Sequence, residues 1–162
     1  MYMSFTVVLN SENAFFSTSL QNGNQYLINW DFFPDKKYIM TFDFCSGISR
    51  SPNVFNTVLR SFTNISIDGL PYFNYTAGSN SDTQITQQIG VAHWELRPFQ
   101  SASGGLSGIM FCSPSDNPPL YLPYKPSSNV LTVRLFRPNG TTPYDGFYTV
   151  VYVLRLHFTP ID

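Results

Sequence analysis

Apolar and polar side chains alternate with a period of two over much of the chain, the pattern of strands buried on one face. In residues 4–10 (SFTVVLN), Phe5, Val7 and Leu9 alternate with Ser4, Thr6 and Asn10. Residues 25–32 set Tyr26, Ile28, Trp30 and Phe32 against Gln25, Asn29 and Asp31. Residues 38–45 set Tyr38, Met40, Phe42 and Phe44 against Thr41 and Asp43. Shorter strands are predicted at 64–67, 84–89, 91–97 and 108–112. Two long ones close the chain. In 130–136 Leu131, Val133 and Leu135 oppose Thr132 and Arg134, and in 147–158 Tyr148, Val150, Tyr152, Leu154, Leu156 and Phe158 form one apolar face.

Only residues 51–62 (SPNVFNTVLRSF) offer a helical stretch, with Ser51 as cap and Pro52 in the first turn; it predicts a short connector. Two connections stand out. Residues 76–83 (TAGSNSDT) are small and polar, whereas residues 113–128 (SPSDNPPLYLPYKPSS) hold five prolines and must be extended, in part polyproline-like. Eight or nine strands, no repeat and no linker predict one all-β domain over residues 1–162. A sandwich or barrel follows. The favoured version is a single jelly-roll β-sandwich of about eight antiparallel strands with long loops, since its two four-stranded sheets use this strand number.

Composition narrows the function. Charged residues make up 12%, and 44 Ser, Thr and Asn residues take their place. A surface of that kind loses little desolvation energy when packed among neighbours. Net charge is −1 and residues 1–35 contain no Lys or Arg, so no basic arm is available to hold nucleic acid. No apolar run approaches the roughly 20 residues of a membrane span. The N-terminal stretch also lacks the basic region of a secretory leader, the first basic residue being Lys36.

Candidate chemistry is sparse. His93 has Glu95 two residues on, hence on the same strand face, but a metal needs three or four ligands. His157 stands alone in its stretch. Cys45 and Cys112 read as reduced, buried, structural thiols. Ser107 in GGLSG lacks the spacing and the strand–turn–helix context of a nucleophile elbow. Asp31, Asp35 and Asp43 read as turn and strand-surface residues, and Trp30 and Trp94 as core. Three sequons begin at Asn64, Asn74 and Asn139. The expectation is a protein that is not an enzyme, with no catalytic residues, no metal and no cofactor.

Residues 129–162 (NVLTVRLFRPNGTTPYDGFYTVVYVLRLHFTPID) read as a strand, a tight Pro-Asn-Gly turn, a loop, a long final strand and a near-terminal Pro-Ile. This resembles the closing strand pair of jelly-roll capsid proteins from large icosahedral DNA viruses of the double jelly-roll lineage and relatives such as virophages. The opening MSFTVVLNSENA fits the same picture. The resemblance implies a minor capsid or penton protein of the virion, assembled in the host cell. It would bind neighbouring capsid proteins, both major capsid protein capsomers and minor capsid proteins, as a homo- or hetero-oligomer. At 162 residues the chain is too short for two jelly rolls. No short motif supports the likeness, so no functional residue is carried over.

The residues themselves point to an interface in the proline-rich segment. Leu120, Tyr121, Leu122 and Tyr124 lie between Pro118, Pro119, Pro123 and Pro126, which hold them extended and lower the entropy lost on docking. The competing expectation is that this segment covers an open edge of its own sandwich. Two other functions stay open: a secreted or surface recognition domain, lectin-like or trimeric ligand-like, for which the sequons would matter, and a cupin-type enzyme, which needs clustered histidines.

Overall fold

The computed structural model describes residues 3–18, 23–48, 62–73, 75–76, 86–98, 106–136 and 150–162. In chain order the strands are β1 (Phe5–Asn10), β2 (Phe16–Thr18), β3 (Gly23–Leu27), β4 (Lys37–Ile48), β5 (Phe62–Asp68) and β6 (Tyr75–Thr76). There follow β7 (Thr86–Gln87), β8 (Gly90–Pro98), β9 (Leu106–Cys112), β10 (Leu120–Leu122), β11 (Val130–Phe136) and β12 (Val150–Ile161). The fold is all-β.

Strand order is β1-β12-β4-β9 in one half and β8-β5-β11-β3 in the other, all antiparallel. Each half mixes early and late strands, which is the jelly-roll order with its two Greek keys. A β8–β9 hairpin, with His93 opposite Phe111 and Leu96 opposite Gly108, joins the halves along one side. β2 extends the second half beyond β3, and β10 lies beside β4. The hydrogen-bonded spine is β4 against β12, paired from Lys37–Ile161 to Ile48–Val150.

The core lies where the alternation places it. Tyr38, Met40, Phe42 and Phe44, then Leu131, Val133 and Leu135, then Tyr152, Leu154, Leu156 and Phe158 are all buried. The halves meet through these faces. Tyr26 of β3 donates a hydrogen bond to the Tyr152 hydroxyl of β12 at 3.1 Å, and Thr63 of β5 reaches the Met110 sulfur of β9 at 3.0 Å. Gly90 permits one close approach: an added Cβ would stand 2.8 Å from Phe42 Cζ. At one end Trp30, Phe33, Tyr38 and Phe158 pack edge to face at 5.0–6.3 Å, and Phe5 lies 4.6 Å from Phe33. Each such pair adds about 0.5–1.5 kcal/mol beyond its buried area.

Several expectations change in detail. The strand expected over 25–32 stops at Leu27. Asn29 Oδ1 accepts the Asp31 N–H at 2.9 Å and Phe33 N–H bonds back to the Trp30 carbonyl, so the chain turns. Trp30 remains in the core, while Phe32 is thrown outward and is 80% exposed. The strand expected over 84–89 is reduced to Thr86–Gln87 among the described residues, and that over 64–67 lengthens to Phe62–Asp68. The last strand runs on to Ile161, with Pro160 buried; residues 147–149 lie outside the described residues. Of the expected helix 51–62, residues 51–61 lie outside them too, and Phe62 opens a strand. Segment 113–128 contains a strand, β10, that its prolines had hidden.

Candidate interface surface

Strand direction alternates, so the β3–β4, β5–β8 and β9–β11 connections emerge at the same end of the sandwich. The β3–β4 and β9–β11 connections are tied to each other. Trp30 Nε1 donates to the Ser128 carbonyl at 2.7 Å, Ile28 N–H to the Asn129 carbonyl at 2.9 Å and Lys125 Nζ to the Phe33 carbonyl at 3.3 Å. Gly69, at φ +102°, sits in the left-handed region where a side chain is strained, and a Cβ there would press on Leu131 Cδ2 at 3.1 Å.

The proline-rich segment is fastened along its length. Asp116 accepts the Ser113 N–H at 2.6 Å, and this bond holds its carboxyl below the usual carboxylate range. Asn117 is buried and acts as a surrogate strand: Val91 N–H donates to its Oδ1 at 2.8 Å and its Nδ2 donates to the Val91 carbonyl at 2.9 Å. β8 is thereby capped where β9 has ended at Cys112. Leu120, Tyr121 and Leu122 then pair with Met40, Ile39 and Tyr38, filling the side of β4 that β9 leaves open. The four residues expected to form an interface are divided by this pairing. Leu120 and Leu122 are buried in the core, whereas Tyr121 and Tyr124 are 51% and 54% exposed. The segment therefore covers the edge of its own sandwich and presents two tyrosines outward.

Exposed aromatics recur in the sister connections. Phe32 between β3 and β4, and Phe73 just after β5, are about four-fifths exposed. A jelly-roll end carrying Phe32, Tyr121 and Tyr124 on braced segments, and Phe73 next to a Tyr72 bonded to the Ile67 backbone, can present aromatic anchors to a partner at low entropic cost. A shallow open depression of about 400 Å³ where the β3–β4 and β9–β11 connections meet is lined by Leu27, Ile28, Asn29, Asp31 and Asn129. The sequence singled out the tyrosines and not the phenylalanines, because Phe32 ends an alternating run that reads as core and Phe73 lies in no predicted element.

The histidines, the cysteines and Asp43 are placed elsewhere. On the outer face of β1, β12 and β4, Asp43 accepts from Arg155 at 2.9 Å and lies 2.8 Å from His157 Nε2; Thr6 Oγ lies 3.2 Å from His157 Nδ1. His93 is exposed on β8. The cysteines are neighbours in register but not in direction. Cys112 opposes Phe44 and Cys45 opposes Phe111, so the two thiols point to opposite faces of the sheet. Cys112 is buried, and that burial pushes its thiol up to about 12, whereas Cys45 is exposed rather than buried as expected. Ser107 lies within β9 and not on a turn. Asn64 is buried on β5, which closes its sequon in the folded state; Asn74 and Asn139, like the Trp94 side chain, lie outside the described residues. Among the described residues no three His, Cys, Asp or Glu side chains gather at metal-binding distance, and no helix is long and apolar enough to cross a membrane. Compared with known proteins, the chain matches no family model and no curated protein.

Proposed function

We propose that this protein is a structural component of a virion, a single jelly-roll minor capsid or penton protein that binds neighbouring capsid proteins and carries out no chemistry. The observation that carries the reading is the braced end of the sandwich. Phe32, Tyr121 and Tyr124 are exposed there on connections tied down by the Trp30, Asn117 and Lys125 bonds, and Phe73 is exposed beside Tyr72, whose hydroxyl bonds the Ile67 backbone. Aromatic anchors on a stiff platform suit contact with other proteins. The capsid setting rests on the resemblance of residues 129–162, and the low charge content agrees with a chain packed in an assembly. In the test, the four aromatics are replaced by Ser and the variant is co-expressed with the capsid proteins of its source. The fold should persist and incorporation into particles should fall at least about tenfold, the loss of one anchor's worth of affinity. Unchanged incorporation, or absence of the wild-type protein from purified particles, overturns the reading.

A further inference from the structure

Jelly rolls leave strands at the margins of their sheets, and unpaired N–H and C=O groups there invite pairing by another chain. This molecule guards its margins unequally. β2 has three residues. β10 also has three, with Pro118 and Pro119 before it and Pro123 after it, residues that cannot donate to a ladder. The β8 margin beyond β9 is taken by the Asn117 amide. β1 has none of these devices. It runs for six residues in unbroken register with β12, from Phe5–Phe158 to Asn10–Val153, and has a strand partner on one side alone among the described residues. No Lys, Arg, Asp, Glu or Pro occurs in residues 1–11.

We propose that β1 is a self-association edge, pairing antiparallel with β1 of a second copy of this chain about a two-fold axis. Directly opposed residues of an antiparallel pair share a face. Centring the axis on Val7 sets Phe5 against Leu9 and Thr6 against Val8 of the second copy. The inward rows then continue into each other, and Phe5 and Val7, only partly buried in the monomer, lose their remaining exposure. On the outer face Val8, 57% exposed, meets a Thr, with no charge opposed at the seam. A second β1 is favoured over other strands of the molecule because β2 and β10 are too short to match it. The two-fold also consumes both edges and closes the assembly, so no fibre propagates. The inference rests on the edge and not on the virion reading, which its failure would leave intact.

The test uses the whole purified chain. Sedimentation velocity should show a monomer–dimer equilibrium below roughly 1 mM. Amide exchange in β1 should slow as concentration rises. In Thr6→Glu/Val8→Glu, carboxylates stand directly opposite one another, and dimerisation should weaken at least about tenfold with melting changed by a few degrees at most. Mixing that variant with Thr6→Lys/Val8→Lys should restore a dimer, now mixed. A wild-type chain that stays monomeric throughout the range overturns the proposal. So does a dimer with unchanged β1 exchange, or one that the glutamates leave intact.

Discussion

β10 and β1 are opposite margins of the same four-stranded stretch. One inward-facing row runs across it from Leu120 through Met40 and Phe158 to Phe5. Both strands are uncharged, yet they meet the edge problem in different ways. β10 is held by side chains: its two leucines are in the core, Asn117 anchors the chain before it, and Lys125 and Ser128 anchor the chain after it. Prolines deny it a further neighbour. β1 is held by its single ladder with β12 and by an inward row that is buried fully at Leu9 alone. Position at a margin thus does not decide whether a strand is a contact surface. What decides is whether its outward hydrogen-bonding groups are withheld or left on offer.

The largest difference should appear when each strand is truncated. Leu122→Ala removes a fully buried side chain of β10 and should cost about 2–5 kcal/mol, with a lower urea midpoint and an unchanged m-value. Val8→Ala, on the outer face of β1, should stay within about 0.5 kcal/mol. Equal effects would mean that β10 is not part of the core. Next in size is Asn117→Ala. It strips both partners from the Val91 backbone at a buried position, an expected loss of about 1–3 kcal/mol. Amide exchange at Val91 should quicken locally; unchanged protection there would show that the side chain does not act as a strand.

What could be read in advance follows the same division. β4, β11 and β12 were legible because three or more apolar residues at period two leave one face for the core, and the described side chains of those faces are buried. The outward direction of Cys45 was implicit as well, since an inward Phe44 turns its neighbour outward, whereas that of Cys112 was not, because the Phe111 before it is the exposed one. Residues 25–32 misled because the alternation keeps its parity past Leu27, and only the Asn29 bond to Asp31, a local side-chain event, bends the chain away. Leu120-Tyr121-Leu122 carries a strand signal, but prolines on both sides argue for a loop, and a neighbour distant in sequence supplies the ladder. Nothing in a lone Asn between Asp116 and Pro118 announces that its amide will pair with Val91. Pairing partners far apart in sequence are tertiary facts, and the braced end depends on them.

A smaller effect separates the two halves of the β4–β9 junction by pH. Cys112 keeps its proton up to about 12 in the folded chain, against 9.0 for a free thiol, because burial disfavours the thiolate. Unfolding in that window releases a proton. The stabilising contribution is therefore complete below about pH 9 and is lost as the pH rises towards 12. Tyr26 and Tyr152, raised from 10.0 chiefly by burial, add the same sign at higher pH. The urea midpoint should fall between pH 8 and 9.5, and Cys112→Ala should reduce that slope. Native protein should meanwhile react with an alkylating reagent at Cys45 and not at Cys112. Equal labelling of both thiols would contradict the placement of Cys112 in the core.

The smallest expected effect on stability is the most informative about function. Tyr121 and Tyr124 are half exposed on a segment whose fastening runs through other residues: Asn117, the buried leucines, Lys125 and Ser128. Their rings carry little of the folding energy. Tyr121→Ser and Tyr124→Ser should each change the unfolding free energy by less than about 0.5 kcal/mol, measured by urea titration. They should also leave the β1 equilibrium untouched, because Tyr121 faces outward at the opposite margin of the sheet. Thr6→Glu/Val8→Glu should conversely leave any contact made through the tyrosines intact. Independent losses would establish two separate contact surfaces, one built from side chains and one from backbone. A tyrosine variant that loses several kcal/mol of stability, or one that shifts the β1 equilibrium, would show that the two margins are not independent.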